Sequence, residues 1–400
     1  MRSTPPAVPL QISLLTGCMD PHYQLDLLSG LAPTGIAVEV IGGDSIEGAG
    51  VFDGGNIRLF NLRGPQDTEA PLLDKVTRVL KYYLRLIYYA MRTDSKVFHI
   101  QWPNKFIFFD RTVLNIYYKM LGKRLVHTAH NIDAQERDSG TSSFMNRASL
   151  RIMYLIMDNI IVHTNKMKTE LVEQFGVDYK KITVVPHGIN TAVPKTNLSG
   201  SEARKALGLG TEDKVLLFFG NIVPYKGIEY AFLALDLLKE KYNGLKLVIA
   251  GRIGGNESYW TQIEKIIDSR GLKKNLLEEL RFIRDEEIEV FFKAADLLVL
   301  PYRYIFQSGV LFLSFSFGLP VVTTDVGSLR EDIMDGKTGF ICRPADPGDL
   351  AEKIDQYFQS ELYRNQEIYR KRIIAYTMEK YSWKTIGMMT RDVYQKVLAN

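Results

Sequence analysis

Val215-Leu216-Leu217-Phe218-Phe219 runs directly into Gly220-Asn221-Ile222-Val223-Pro224-Tyr225-Lys226-Gly227, and an apolar helical pattern follows from Ile228. A short apolar run closed by glycine reads as a buried strand; the periodic stretch after it reads as a helix opening at about Lys226. The same unit recurs along the chain. Further strands are expected at 246–250, 281–283, 297–300 and 321–323, with helices over 228–241, 259–269 and 286–294. The first half shows strands at 11–16, 36–41, 97–101, 125–129, 160–163 and 182–185, separated by helices such as 72–91, 106–121 and 144–157. Strands alternating with helices specify parallel βαβ units. The expected class is therefore α/β, as two doubly wound, Rossmann-like domains facing a cleft at the carboxyl ends of their strands. The linker is read in Pro186-His187-Gly188-Ile189 and the polar stretch 194–201, which puts the first domain at 1–190 and the second from 191.

Composition agrees with a folded chain of this kind. Its 400 residues are 46% hydrophobic and 24% charged, which excludes a disordered or fibrous protein. The net charge of +4 is too small to advertise nucleic acid, so any anion site must be local. Cys18 and Cys342 fit no metal-ligand spacing and read as ordinary thiols in a reducing compartment. Leu15-Thr16-Gly17-Cys18 mimics a lipoprotein cleavage site, but the apolar run before it is short and interrupted by Gln11 and Ser13, so a first strand is preferred. No stretch reaches the ~20 apolar residues of a membrane span. A cytoplasmic location is expected.

Two strand ends carry candidate anion chemistry. Gly220 lets backbone approach a ligand, and the following helix start with Lys226 beside it would attract a phosphate. The competing reading is a glycine-bounded turn with a solvated lysine. After the strand 297–300, Gln307-Ser308-Gly309 opens a second apolar helix, with Ser308 as its cap and Gly309 exposing amides. Two such helix starts would cradle a diphosphate. Arg252 and Arg303, each just past a strand end, would add cationic forks, although either alone reads equally as a surface residue.

Pro186-His187-Gly188, the loop 220–227, Gly318-Leu319-Pro320-Val321-Val322, Asp325-Val326-Gly327 with Glu331, Asp335-Gly336-Lys337-Thr338-Gly339 and Tyr381-Ser382-Trp383 resemble glycosyltransferase family 4 in order and spacing. In the first half, His99-Ile100-Gln101-Trp102 and Thr128-Ala129-His130-Asn131 are similar in outline. The resemblance implies the GT-B fold and retaining transfer of a sugar from a nucleoside-diphosphate sugar to a saccharide or lipid-linked hydroxyl, without cofactor or metal. It also implies that the last helix returns to the first domain, so 381–400 joins 1–190 and the second domain becomes 191–380. Lys226 and His130 become candidate catalytic residues. Gly220, Lys226, Ser308, Gly309, Arg303 and Arg252 are assigned to the donor diphosphate, Ile283, Arg284 and Gln307 to the nucleoside, and His22 and Asn131 to the acceptor side.

Two departures stand out. Asn221 occupies the place where the family usually has an arginine, and Ile305 and Leu313 occupy the places of its paired glutamates; Gln307-Ser308-Gly309 is similar to a subgroup lacking that pair. A nucleotide-sugar-binding protein without turnover is therefore the rival reading, and an epimerase or phosphorylase on the same fold is a third. His127 and His130, three apart on a strand, point to opposite faces and do not suggest a shared metal. His99 and His163 read as structural, and His187 as hinge or ligand contact. The helix 72–92 carries Lys75, Arg78, Lys81, Arg85 and Arg92 with four tyrosines, which reads either as a solvated face over core aromatics or as a membrane-surface helix.

Overall fold

The structure is a computed structural model describing residues 10–67, 70–132, 144–189, 193–255 and 257–399. It contains two compact units, Met1–Gly188 with Tyr381–Asn400, and Ile189–Lys380. Each is an α/β sandwich built on one parallel sheet.

The first unit holds β1 (Gln11–Leu15), β2 (Ala37–Ile41), β3 (Ile57–Phe60), β4 (Val97–Ile100), β5 (Arg124–Thr128), β6 (Asn159–Val162) and β7 (Ile182–Val184), in the order β3-β2-β1-β4-β5-β6-β7. β4 and β6 are buried at every position, as expected where helices cover both faces of a parallel sheet. The order reverses between β1 and β4, so the loops after these two strands meet. A Cβ on Gly17 would lie 2.8 Å from the Cβ of Trp102. The loop after β1 is conformationally demanding, because Cys18 and Asp20 join Gly17 in left-handed backbone at φ 57° and 46°. The C-terminal helix Trp383–Ala399 packs on the helix Pro21–Leu31 at two glycines. A Cβ on Gly30 would sit 2.1 Å from the Trp383 carbonyl oxygen, and one on Gly387 2.0 Å from that of Gly30.

The second unit holds β8 (Lys214–Phe219), β9 (Leu245–Ala250), β10 (Leu276–Glu279), β11 (Leu297–Leu300), β12 (Val321–Thr324) and β13 (Gly339–Cys342), in the order β10-β9-β8-β11-β12-β13. Its reversal lies between β8 and β11. There Arg303 N–H donates to the Tyr225 carbonyl at 2.8 Å, joining the two loops expected to carry the site.

Four details differ from the sequence expectation. The strand placed at 281–283 is β10 at Leu276–Glu279, whose two glutamates hide an edge strand, while Arg281 folds back onto Glu279 and Glu287. The edge strands β3 and β13 went unread: β3 carries the exposed Arg58 and β13 opens on Gly339, so neither is a continuous apolar run. The helix over 106–121 is interrupted by a π turn at Asp110–Leu114. Finally, no α-helix begins at Lys226: Pro224–Lys226 is a 3-10 turn, and Ile228–Leu238 starts after Gly227 at φ 64°.

Candidate functional site

In the second unit the site begins with backbone. Gly220 has φ 98°, so glycine is required for conformation, and a Cβ there would lie 2.7 Å from Lys226 Nζ, which places the ammonium against this turn. Lys226 is buried, and its ammonium is thereby set against the end of β8. The β8–β9 pairing continues past both strands through Ile222 N–H, which donates to the Arg252 carbonyl at 2.9 Å. This sets Asn221 beside Arg252, whose Nε–H donates to Asn221 Oδ1 at 3.2 Å. Where the sequence lacks a cation at 221, a neighbouring strand end brings one.

Arg303 differs from expectation. Its Nε–H and Nη2–H both donate to Glu229 Oε1, the former at 2.7 Å, so the fork meant for a phosphate grips a carboxylate. Glu229 also accepts from the Tyr259 hydroxyl and sits at the second residue of the helix Ile228–Leu238, where a negative charge complements the helix dipole. That helix start therefore carries its own anion.

The second helix start is arranged otherwise. Ser308 occupies the cap position of Gly309–Ser316, but its hydroxyl pairs with the Tyr302 hydroxyl at 2.9 Å and makes no cap bond. Gly309 is exposed, and a Cβ there would meet nothing within 4 Å. The loop before it is pinned by Ser328, whose N–H and hydroxyl both donate to the Phe306 carbonyl, at 3.0 and 2.6 Å. Gln307 lies in this loop with both amide atoms buried and unpartnered among the described residues. Ile283 is buried, and the guanidinium of Arg284 is held by Glu287 at 3.0 Å.

In the first unit, the carboxyl strand ends assemble rings around His130. Its imidazole stacks on Trp102 at 4.1 Å and 4° and meets the edge of Tyr23 at 4.7 Å. His163 Nδ1–H donates to the Val185 carbonyl at 3.0 Å, because a carbonyl can only accept. Neutral His163 therefore has a bare Nε2, which receives Nδ1–H of His130 at 3.2 Å. His130 is left with a bare Nε2, buried and unpartnered. Burial first, and then the neighbouring histidines, hold His130 well below the ordinary histidine range; burial brings His163 to about 3. Both ring nitrogens of His163 are thus satisfied within the unit, and its bond to His130 orients that ring. His127 turns elsewhere, with Nδ1 2.8 Å from the Ile100 carbonyl. His22 is the second residue of the helix Pro21–Leu31, and Asn131 is exposed.

Sequence reading missed Trp102, Tyr23 and Glu229 as parts of these sites. The available signals were the motif 99–102, which ends on Trp102, and His22, which precedes Tyr23. Among the described residues, no group of three or more His, Cys, Asp or Glu is placed to hold a metal ion, and no helix is long and apolar enough to cross a membrane.

Similarity to known proteins follows the same division. A family model described as Glycosyltransferase Family 4 matches residues 22–193, and one described as Glycosyl transferases group 1 matches residues 200–379. An uncharacterized glycosyltransferase of Methanocaldococcus jannaschii is 30% identical over 239 residues, 59% of each chain. Glycogen synthase of Mycobacterium tuberculosis is 27% identical over 278 residues, 68% of this chain and 62% of that one. The chain thus spans about three fifths of the first curated relatives it matches. Among solved structures, sucrose-phosphate synthase from Thermosynechococcus elongatus superposes with TM-score 0.76 at 18% identity, covering 97% of this chain and 99% of that one. Anabaena HepE, solved with UDP, gives 0.72 at 18% identity over 96% and 100%. These likenesses give the GT-B fold. With one model matching in each of its two units, the chain belongs to the family 4, group 1 glycosyltransferases.

Proposed function

We propose that this chain transfers a sugar, with retention of anomeric configuration, from a nucleoside-diphosphate sugar to a saccharide or lipid-linked hydroxyl, in polysaccharide or glycoconjugate synthesis. The observation carrying this reading is the Lys226 ammonium lodged against Gly220 at the end of β8, with Arg252 alongside Asn221. The C1–oxygen bond to the diphosphate breaks, and its electron pair stays on the leaving phosphate. The acceptor oxygen bonds to C1, and the acceptor proton passes to the leaving phosphate, so no protein base and no metal is needed. Charge building on that phosphate is stabilised by Lys226, Arg252 and the start of the helix at Gly309. The unpartnered amide of Gln307 suits the polar edge of a nucleoside, and the bare Nε2 of His130 suits a hydroxyl donor.

The helix Leu72–Arg92 exposes Leu73, Val76, Leu80 and Leu84 among its cations while burying Tyr82 and Tyr83. This supports peripheral contact with the inner face of a membrane by a cytoplasmic protein. The test of function is nucleotide release from UDP-, GDP- and dTDP-sugars, first alone and then with membrane extracts, after a thermal-shift panel has identified the donor. Donor binding without release in every combination would favour the non-catalytic reading, which the apolar residues Ile305 and Leu313 support.

A further inference from the structure

The amino ends of β5, β6 and β7 lie on the edge of the first sheet opposite His130 and Trp102. Here Arg124, Lys168, Lys180, Lys181 and Lys396 surround a cavity of about 610 Å3 that has a single lining carboxylate, Asp158. That carboxylate is already committed. Lys119 Nζ reaches it at 2.8 Å, Arg124 at 3.4 Å, and the Leu125 amide donates to it at 2.7 Å. Asp178, the other acid of this stretch, accepts the Lys180 amide at 2.9 Å.

The lysines are held by groups that fix position without removing charge. Lys181 Nζ donates to the Leu155 carbonyl at 3.2 Å, and Lys396 Nζ to the Lys180 carbonyl at 3.0 Å. Lys168 Nζ stands 3.4 Å from the centre of the Tyr179 ring. Carbonyls and a ring face orient ammonium groups and leave their field available to a ligand. A multiply charged anion would interact with several of these cations at once. The cavity has ordinary small-ligand dimensions. Tyr179, 63% exposed, adds an apolar edge with Ile182 and Val397.

We propose that this cavity binds a ligand bearing two or more phosphoryl groups, at a site separate from the strand-end residues of either unit. Such a ligand comes either from solution or as the headgroup of an anionic lipid, and both present the same chemistry to these lysines.

The test uses the full chain with inositol hexakisphosphate in calorimetry, and with phosphatidylcholine vesicles with and without phosphatidylglycerol or phosphatidylinositol bisphosphate in co-sedimentation. Lys181→Glu/Lys396→Glu is expected to weaken hexakisphosphate binding at least about tenfold, whereas Lys181→Arg/Lys396→Arg stays within about threefold of wild type. Affinity should fall as salt rises from about 50 to about 300 mM. Lys226→Ala should leave this binding unchanged. Vesicle binding that drops with the charge reversal assigns a lipid headgroup; vesicle binding unaffected while hexakisphosphate binding drops assigns a soluble ligand. The proposal is overturned if the charge-reversed protein, folded by circular dichroism, binds every probe as wild type does, if no probe binds, or if Lys226→Ala is what abolishes binding.

Discussion

At the scale of single residues, the geometry turns on atoms that have one role available. Lys226→Ala should lower donor affinity or turnover at least about tenfold, since it removes the cation nearest the end of β8; unchanged steady-state kinetics would take Lys226 out of the site. Gly220→Ala is strained at a φ of 98° and its methyl would displace the Lys226 ammonium, so it should weaken nucleotide binding without removing any charge; unchanged affinity in calorimetry would contradict this placement. His130 offers a different kind of check. Nitrogen-15 spectra of histidine-labelled protein should show His130 and His163 both protonated on Nδ1, and His163→Phe should release His130 to a mixture of tautomers. A proton on His130 Nε2 in the wild-type protein would refute the arrangement. Lys226, Gly220 and His130 could be singled out as candidates because glycine, lysine and histidine at strand ends are distinctive by identity, and the structure does set Lys226 against Gly220. The Glu229–Arg303 pair was not, because its partners are 74 residues apart and meet only when the loops after β8 and β11 are joined.

Elements set where those residues stand. The strand and helix pattern could be read wherever a run was long and apolar, and it failed at edges. β10 carries Glu278 and Glu279 because an edge strand needs apolar cover on fewer sides. The crossing of the helices Pro21–Leu31 and Trp383–Ala399 shows the opposite limit, since Gly30 and Gly387 give no local hint that two backbones touch. Helix propensity alone would make Gly387→Ala stabilising by about 1 kcal/mol. With the new methyl 2.0 Å from the Gly30 carbonyl oxygen, overpacking should instead destabilise the first unit by about 1–3 kcal/mol, measurable by urea unfolding. A gain in stability would show that the helices do not approach in this way.

For the whole molecule, buried histidines make stability depend on pH. Burial lowers His99 and His163 to about 3 and His127 to about 4. The unfolded chain binds protons at these groups below about 6.5 and the folded chain does not, so their contribution is complete above about 6.5 and declines as pH falls toward the folded values. Each removes roughly 1.4 kcal/mol per pH unit across that window. Asp110, raised by burial to about 6, acts in the opposite sense between its ordinary value and 6, and one carboxyl does not offset three histidines. The denaturation midpoint should therefore drop between pH 7 and 5, and a flat profile would contradict the burial. By itself the sequence determined the two parallel α/β units, the family and the strand ends where the candidate site is sought, because each is encoded in local periodicity and in glycine-marked turns. Only the tertiary structure decided which cations are spent on internal carboxylates, which tautomer His130 adopts, and where lysines from the turn before β7 and from the last helix converge. Those outcomes depend on distances between residues far apart in the chain, and chain order carries no record of them until the sheets form.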